Sequence, residues 1–231
     1  ILVMKNNYSI FLTITVITFL RIFFDIVNEI DIHYEEAQYW VWSQNLSLSY
    51  STKGPFLAWL LSFSSYLFGN TVFSLKIFSY LSIFLTSALL TLTLNEISTN
   101  KKYNSLSFAL ICTSPVLFFM GGVATTDIFL LLFWSLALYA YSKFLRTKND
   151  NWFYLIGIAI GIGSLIKASI FLLPISILIF FIFSDYRRYI YSRKLLVSIM
   201  LASLLFSPIL IWNYQNGWLY FDHEISHLIQ I

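Results

Sequence analysis

The chain has little charge. Only 11% of its 231 residues are Asp, Glu, Lys or Arg, too few to cover a water-facing surface, which excludes an ordinary soluble globule. Cysteine is nearly absent: the single thiol, Cys112, lies inside an apolar run, so no intramolecular disulfide and no cysteine cluster for a metal is available. A glycine-rich phosphate loop ahead of a helix is missing too, as are internal repeats, low-complexity tracts and any visible soluble domain. The net charge of +3 comes from basic residues in short connectors between apolar blocks, a mark of membrane topology rather than a nucleic-acid footprint, so no nucleic-acid partner is expected. The first apolar stretch runs into charged residues with no small-residue cleavage site behind it, and reads as a retained helix rather than a signal peptide.

Apolar surface is what the sequence has in abundance: 58% of residues are hydrophobic, arranged in blocks at 9–27, 56–68, 72–94, 104–122, 128–145, 152–166, 168–183 and 195–212. Most approach the roughly 20 residues an α-helix needs to cross a bilayer. The block 56–68 would reach only about 20 Å as a helix and 152–166 about 22 Å. If 56–68 lies in the interface or re-enters and the others span, ten of the fourteen basic residues fall on one side, between Lys5 and Lys194 in the chain. Eight of the eleven acidic residues fall on the other. The positive-inside rule makes the first side cytoplasmic and the second exoplasmic. The expected fold is therefore all-α, a single polytopic membrane bundle over residues 1–231 with about seven spans. Segment 28–55 is an exoplasmic loop, and its stretch from Tyr34 to Leu48 sets Tyr39, Trp40 and Trp42 at helical spacing, as in an amphipathic helix lying in the headgroup layer. An aromatic belt that merely anchors the loop gives the same pattern. The start at Ile1 and the stop at Ile231, straight after a polar segment, are expected of a piece of a longer protein.

Four charged features sit at the exoplasmic boundary. Glu35 and Glu36 are adjacent carboxylates near a low-dielectric surface, which suits one of them to act as a base; solvated charges completing a helix N-terminus would look the same. Lys53, on the turn Ser49-Tyr50-Ser51-Thr52-Lys53-Gly54-Pro55, is placed either to hold a phosphate or to snorkel. Asp127 follows Thr125 and Thr126 at a helix start, where a carboxylate favours the helix dipole, yet it is the only charge between Lys102 and Lys143. Lys167 separates two apolar blocks, and because a mid-membrane ammonium is costly, the chain is expected to turn there at the outer side, where an anion can meet it. His223, Glu224 and His227 share helical spacing and are read as metal ligands or as a polar tail.

In this order the features resemble the GT-C class of membrane glycosyltransferases, and within it the protein-mannosyltransferase-like family that includes bacterial aminoarabinose and related lipid A sugar transferases. Glu35-Glu36-Ala37-Gln38-Tyr39-Trp40 is similar to that family's first-loop signature, with Glu35 where the family usually has aspartate. Tyr50 with Lys53-Gly54-Pro55 and Ala58-Trp59-Leu60 resembles its next string, with one proline where two are common. Leu67-Phe68-Gly69-Asn70 with Lys76, then Asp127, Lys167 and Ile211-Trp212-Asn213-Tyr214-Gln215-Asn216-Gly217-Trp218 continue the series over about residues 9–224, the N-terminal half of such a protein.

The resemblance implies transfer of a sugar from a polyprenyl-phosphate donor to an acceptor, whether lipid A, glycan or protein, at the exoplasmic face with inversion. The implied catalytic residues are Glu35, as general base, with Asp127 and Glu36 in support, while Lys53 and Lys167 bind the lipid phosphate. No cofactor beyond the lipid-linked sugar co-substrate is implied, and a divalent metal stays open. Implied partners are membrane lipids, donor, acceptor and a separate chain supplying further C-terminal spans. The implied place is the inner membrane, if the source is bacterial. An inactive fragment acting as a membrane scaffold, or a lipid-linked-sugar flippase, are the rival readings.

Overall fold

A computed structural model of the chain describes residues 2–98, Ser114 and residues 121–229, with residues 2–10, 227 and 228 as backbone only. Most of the apolar block 104–122, including Cys112, lies outside the described residues. Those described form helices and connecting turns, with no strand among them. In chain order they are α1 (Leu2–Val27), α2 (Tyr34–Gln44), α3 (Phe56–Phe68), α4 (Val72–Ile97), α5 (Thr126–Thr147), α6 (Trp152–Ser164), α7 (Leu172–Ile182), α8 (Arg193–Gln215) and α9 (Leu219–Ile229). Two 3-10 segments, Ala168–Phe171 and Asp185–Tyr191, flank α7.

Local chemistry sets the boundaries. Pro55 introduces α3, where a missing N–H costs nothing, and Gly69 ends it in the left-handed region at φ +75°. Thr71 and Ser74 then exchange capping hydrogen bonds that start α4. Block 168–183 divides in two, because Pro174 belongs in the first turn of a helix; α7 accordingly begins only at Leu172, after a 3-10 turn. The segment beyond Gly217, open between a polar tail and a metal-binding helix face, is helical as α9. Among the described residues α4, α5 and α8 are each long and apolar enough to cross a membrane, and the helix pair bent by 119° around α7 is a broken span or a re-entrant loop. α3 and α6, of 13 residues each, are apolar but short.

Small residues bring the helices close. A Cβ on Gly157 would collide with the backbone of Ser198, so α6 and α8 touch there. Ala137, Ala140 and Ala159 lie fully buried beside Phe144 and Phe153 in the main apolar core. Among the described residues the ion pairs gather at the two ends of the bundle. At one end Glu96, closing α4, meets Lys143 and Arg146 near the end of α5 at 2.7 and 2.8 Å, and Asp150 meets Lys194 at the start of α8 at 2.7 Å. The other end carries α2, the starts of α4 and α5, and the break after α6.

Candidate active site

The neighbours Glu35 and Glu36 do different work. His33 caps α2: its Nδ1 accepts from the Glu35 N–H at 3.4 Å, and its own N–H donates to the Glu36 carboxylate at 2.7 Å. The second Glu36 oxygen accepts from the Ala124 N–H at 2.7 Å, 88 positions along the chain. Lys76 lies 3.9 Å from the same carboxylate and donates to the Ile30 and Asp31 carbonyls at 3.3 and 3.0 Å. Both side chains are buried, Glu36 at 0% exposure and Lys76 at 2%. Glu36 is thus committed to holding α2 and the first loop against α4 and the turn 121–125. Glu35 remains partly exposed, and among the described residues its carboxylate accepts from the Tyr34 hydroxyl at 3.4 Å.

Asp127 and Lys167, 40 positions apart, form an ion pair at 2.8 Å. Thr125 turns the backbone into α5, which puts Asp127 in the first helical turn where the dipole favours a carboxylate. Lys167 occupies the extended residue between α6 and the 3-10 turn. The Asp127 and Lys167 side chains are 53% and 33% exposed, so both are open to a ligand. Between Glu35 and Asp127 in chemistry stands Tyr39. One helical turn after Glu35, it is 2% exposed and hydrogen-bonded to the Thr126 side chain. Burial pushes its hydroxyl up to about 12 against the lowering effect of the Thr126 bond, and the negative charges of Glu35 and Asp127 add to the rise. The phenol therefore stays protonated at neutral pH.

The Lys53 turn rests on the segment that leads to Lys167. A Cβ on Gly54 would collide with the Leu165 carbonyl, and the Phe56 N–H donates to that same carbonyl at 3.2 Å. Only glycine allows the two backbones to approach so closely. Upstream, the Tyr50 ring stacks on Trp42 at 4.3 Å and Trp59 Nε1 donates to the Ser47 carbonyl at 2.8 Å, which fixes the loop feeding the turn. Lys53 is half-buried, and no charged partner faces it among the described residues.

One device was not singled out from sequence. Arg21 and Asp25 pair at 3.0 Å inside α1, both buried, and the Tyr80 hydroxyl donates to Asp25 at 2.6 Å. A Cβ on Gly122 would strike this pair, so the turn leading to Asp127 lies directly on it. Arg21 and Asp25, four residues apart and the only charges in the apolar block 9–27, were the available signal. Among the described residues no group of three His, Cys, Asp or Glu could hold a metal, and the His227 side chain lies outside them.

Sequence comparison meets this geometry from another direction. The chain is 27% identical over 201 residues, 85% of its length, to a lipid A galacturonosyltransferase of Rhizobium johnstonii, and spans 42% of that relative. No solved structure matches the chain at a significant level. The family model described as dolichyl-phosphate-mannose-protein mannosyltransferase matches residues 52–212, from the Lys53 turn through Asp127 and Lys167 into α8. The chain belongs to that family of membrane glycosyltransferases.

Proposed function

We propose that the chain transfers a sugar from a polyprenyl-phosphate carrier to an acceptor hydroxyl, at the end of the bundle that carries Asp127 and Lys167. The observation that carries this reading is the setting of Lys167. Its ammonium is fixed by Asp127 at 2.8 Å yet still accessible, four residues ahead of Phe171. Phe171 lines an apolar groove of about 330 Å³ between α6, α7 and α8, with Ile160, Pro174 and Phe206 among its walls. An accessible ammonium held at the membrane boundary suits a lipid phosphate, and the apolar groove starts at Phe171 in the same break of the chain. The concentration of basic residues at the opposite end supports an exoplasmic site.

In the reaction, Glu35 removes the proton of the acceptor hydroxyl as that oxygen attacks the anomeric carbon. The bond from the anomeric carbon to the lipid phosphate oxygen breaks, and its electron pair leaves with the polyprenyl phosphate. Attack from the face opposite the leaving group inverts the configuration. Lys167 and Lys53 meet the charge that grows on the phosphate. Asp127 positions Lys167, and Glu36 positions the helix that carries Glu35. The relative acts on lipid A, and a lipid-anchored saccharide of that kind is the acceptor we favour.

The test uses membranes containing the protein, a polyprenyl-phosphate sugar with a labelled sugar, and a lipid A acceptor. Glu35→Gln should lower transfer by about 10²-fold or more while donor binding persists, as loss of a general base does. Lys167→Ala should weaken donor binding as well as turnover. Transfer at the normal rate by Glu35→Gln would overturn the assignment of the base, and no transfer by the parent chain would leave the scaffold reading in its place.

A further inference from the structure

The end of the bundle opposite the candidate site carries a feature that the transfer reaction does not use. After α7 the chain bends through 119° into the 3-10 segment Asp185–Tyr191, away from the direction of the span. Two tyrosines fasten this segment to the core. Tyr186 and Tyr189 approach the buried Phe144 ring at 5.9 and 4.8 Å, and Tyr186 also stacks on Phe181 at 6.4 Å. The residues between and beyond them face outward: Arg187, Arg188 and Arg193 are exposed, as are Phe183 at 84% and Tyr191 at 89%.

Apart from Asp185, the acids at this end are engaged elsewhere. Glu96 serves Lys143 and Arg146, and Asp150 serves Lys194. Lys148 lies 4.0 Å over the Tyr186 ring and Arg188 4.9 Å over Tyr189, contacts that orient the cations without neutralising them. Arg187 and Arg193 have no acidic partner among the described residues. Asp185 is the one exposed carboxylate of the segment. The surface thus carries the exposed guanidinium groups of Arg187 and Arg188 on a braced element and that of Arg193 at the start of α8, with two exposed aromatic rings, Phe183 and Tyr191, in the same stretch.

We propose that residues 183–193 bind the phosphate of anionic phospholipids in the adjoining leaflet. Arg187, Arg188 and Arg193 contact phosphate oxygens, and Phe183 and Tyr191 enter the boundary between headgroups and acyl chains. A guanidinium presents paired donors that match two phosphate oxygens; the Tyr191 ring, with its polar edge, favours that depth, and the Phe183 ring adds apolar area beside it. Fastening the segment through Tyr186 and Tyr189 orders the arginines before the lipid arrives, which distinguishes a site from a diffuse basic fringe.

The test is native mass spectrometry of the full chain released from mixed micelles, titrated with phosphatidylglycerol and, separately, with phosphatidylcholine. Phosphatidylglycerol should be retained preferentially. Arg187→Gln/Arg188→Gln/Arg193→Gln should raise the half-saturating concentration on the order of 100-fold, roughly fivefold for each cation removed. Lys194→Gln, which removes a cation already paired with Asp150, should change it less than about twofold. The single variant Arg187→Gln, read the same way, replaces the triple variant if the latter does not fold. Equal retention of the two lipids, or unchanged phosphatidylglycerol binding in the arginine variants, would overturn the proposal.

Discussion

Replacing Glu36 by alanine tests how much of the first loop's position depends on that carboxylate. The side chain is wholly buried and satisfies the His33 and Ala124 N–H groups at 2.7 Å each, with Lys76 3.9 Å away. Removing it strands two backbone donors and leaves the Lys76 ammonium with only the Ile30 and Asp31 carbonyls. Breaking one side of a buried ion pair costs about 3–5 kcal/mol, and orphaned donors act in the same direction. For a chain of this length that corresponds to a fall of about 6–20 °C in the unfolding midpoint. The measurement is a thermal-shift midpoint in one fixed detergent. Glu36→Gln keeps the shape and one acceptor oxygen, and should cost about 1–3 kcal/mol. The double variant Glu36→Leu/Lys76→Met removes both charges together, and should recover more than half of the loss seen with Glu36→Ala, because apolar replacement of a whole buried pair is often near neutral. A midpoint for Glu36→Ala within about 1 °C of the parent would refute the reasoning, since no buried pair of this kind is so cheap to break.

Tyr39→Phe deletes the hydroxyl bonded to Thr126 while keeping the ring in its core, and should cost about 1–3 kcal/mol. Because burial holds that hydroxyl near 12, the loss should be the same at pH 6 and pH 9 by thermal shift. Gly54→Ala forces a methyl group into the Leu165 carbonyl; it should separate the Lys53 turn from Lys167 and weaken donor-lipid binding more than it lowers the unfolding midpoint. At the opposite end, Lys194 holds the Asp150 carboxyl below the ordinary aspartate range. The pair therefore contributes above the unfolded value and loses that contribution as pH falls through the depressed one; its partial exposure keeps the worth under about 1 kcal/mol. The midpoint difference between parent and Asp150→Asn should shrink from pH 7 to pH 3.

Helix positions were legible because bilayer-length apolar blocks end at residues with their own local chemistry. Block 56–68 coincides with α3 because Pro55 and Gly69 bound it, and the turn at Lys167 was readable from the cost of burying an ammonium. Contacts that depend on which helices become neighbours were not readable in this way. Nothing in sequence spacing joins Asp127 to Lys167 across 40 positions, or Glu36 to Ala124 across 88. The adjacent acids show the cause most directly. Read along the chain, Glu35 and Glu36 look like one pair of carboxylates sharing a task. An α-helix turns about 100° per residue, so neighbours leave it in different directions. On α2 that rotation sends Glu36 toward Lys76 and the turn 121–125, into full burial, while Glu35 keeps the face that Tyr39 shares one turn later. The same capping bond that spends Glu36 on the backbone of His33 sets the start of the helix, and so fixes which of the two acids is left partly exposed. For this reason Glu35→Gln should act on turnover and Glu36→Gln on stability, although the two residues are chemically identical and consecutive.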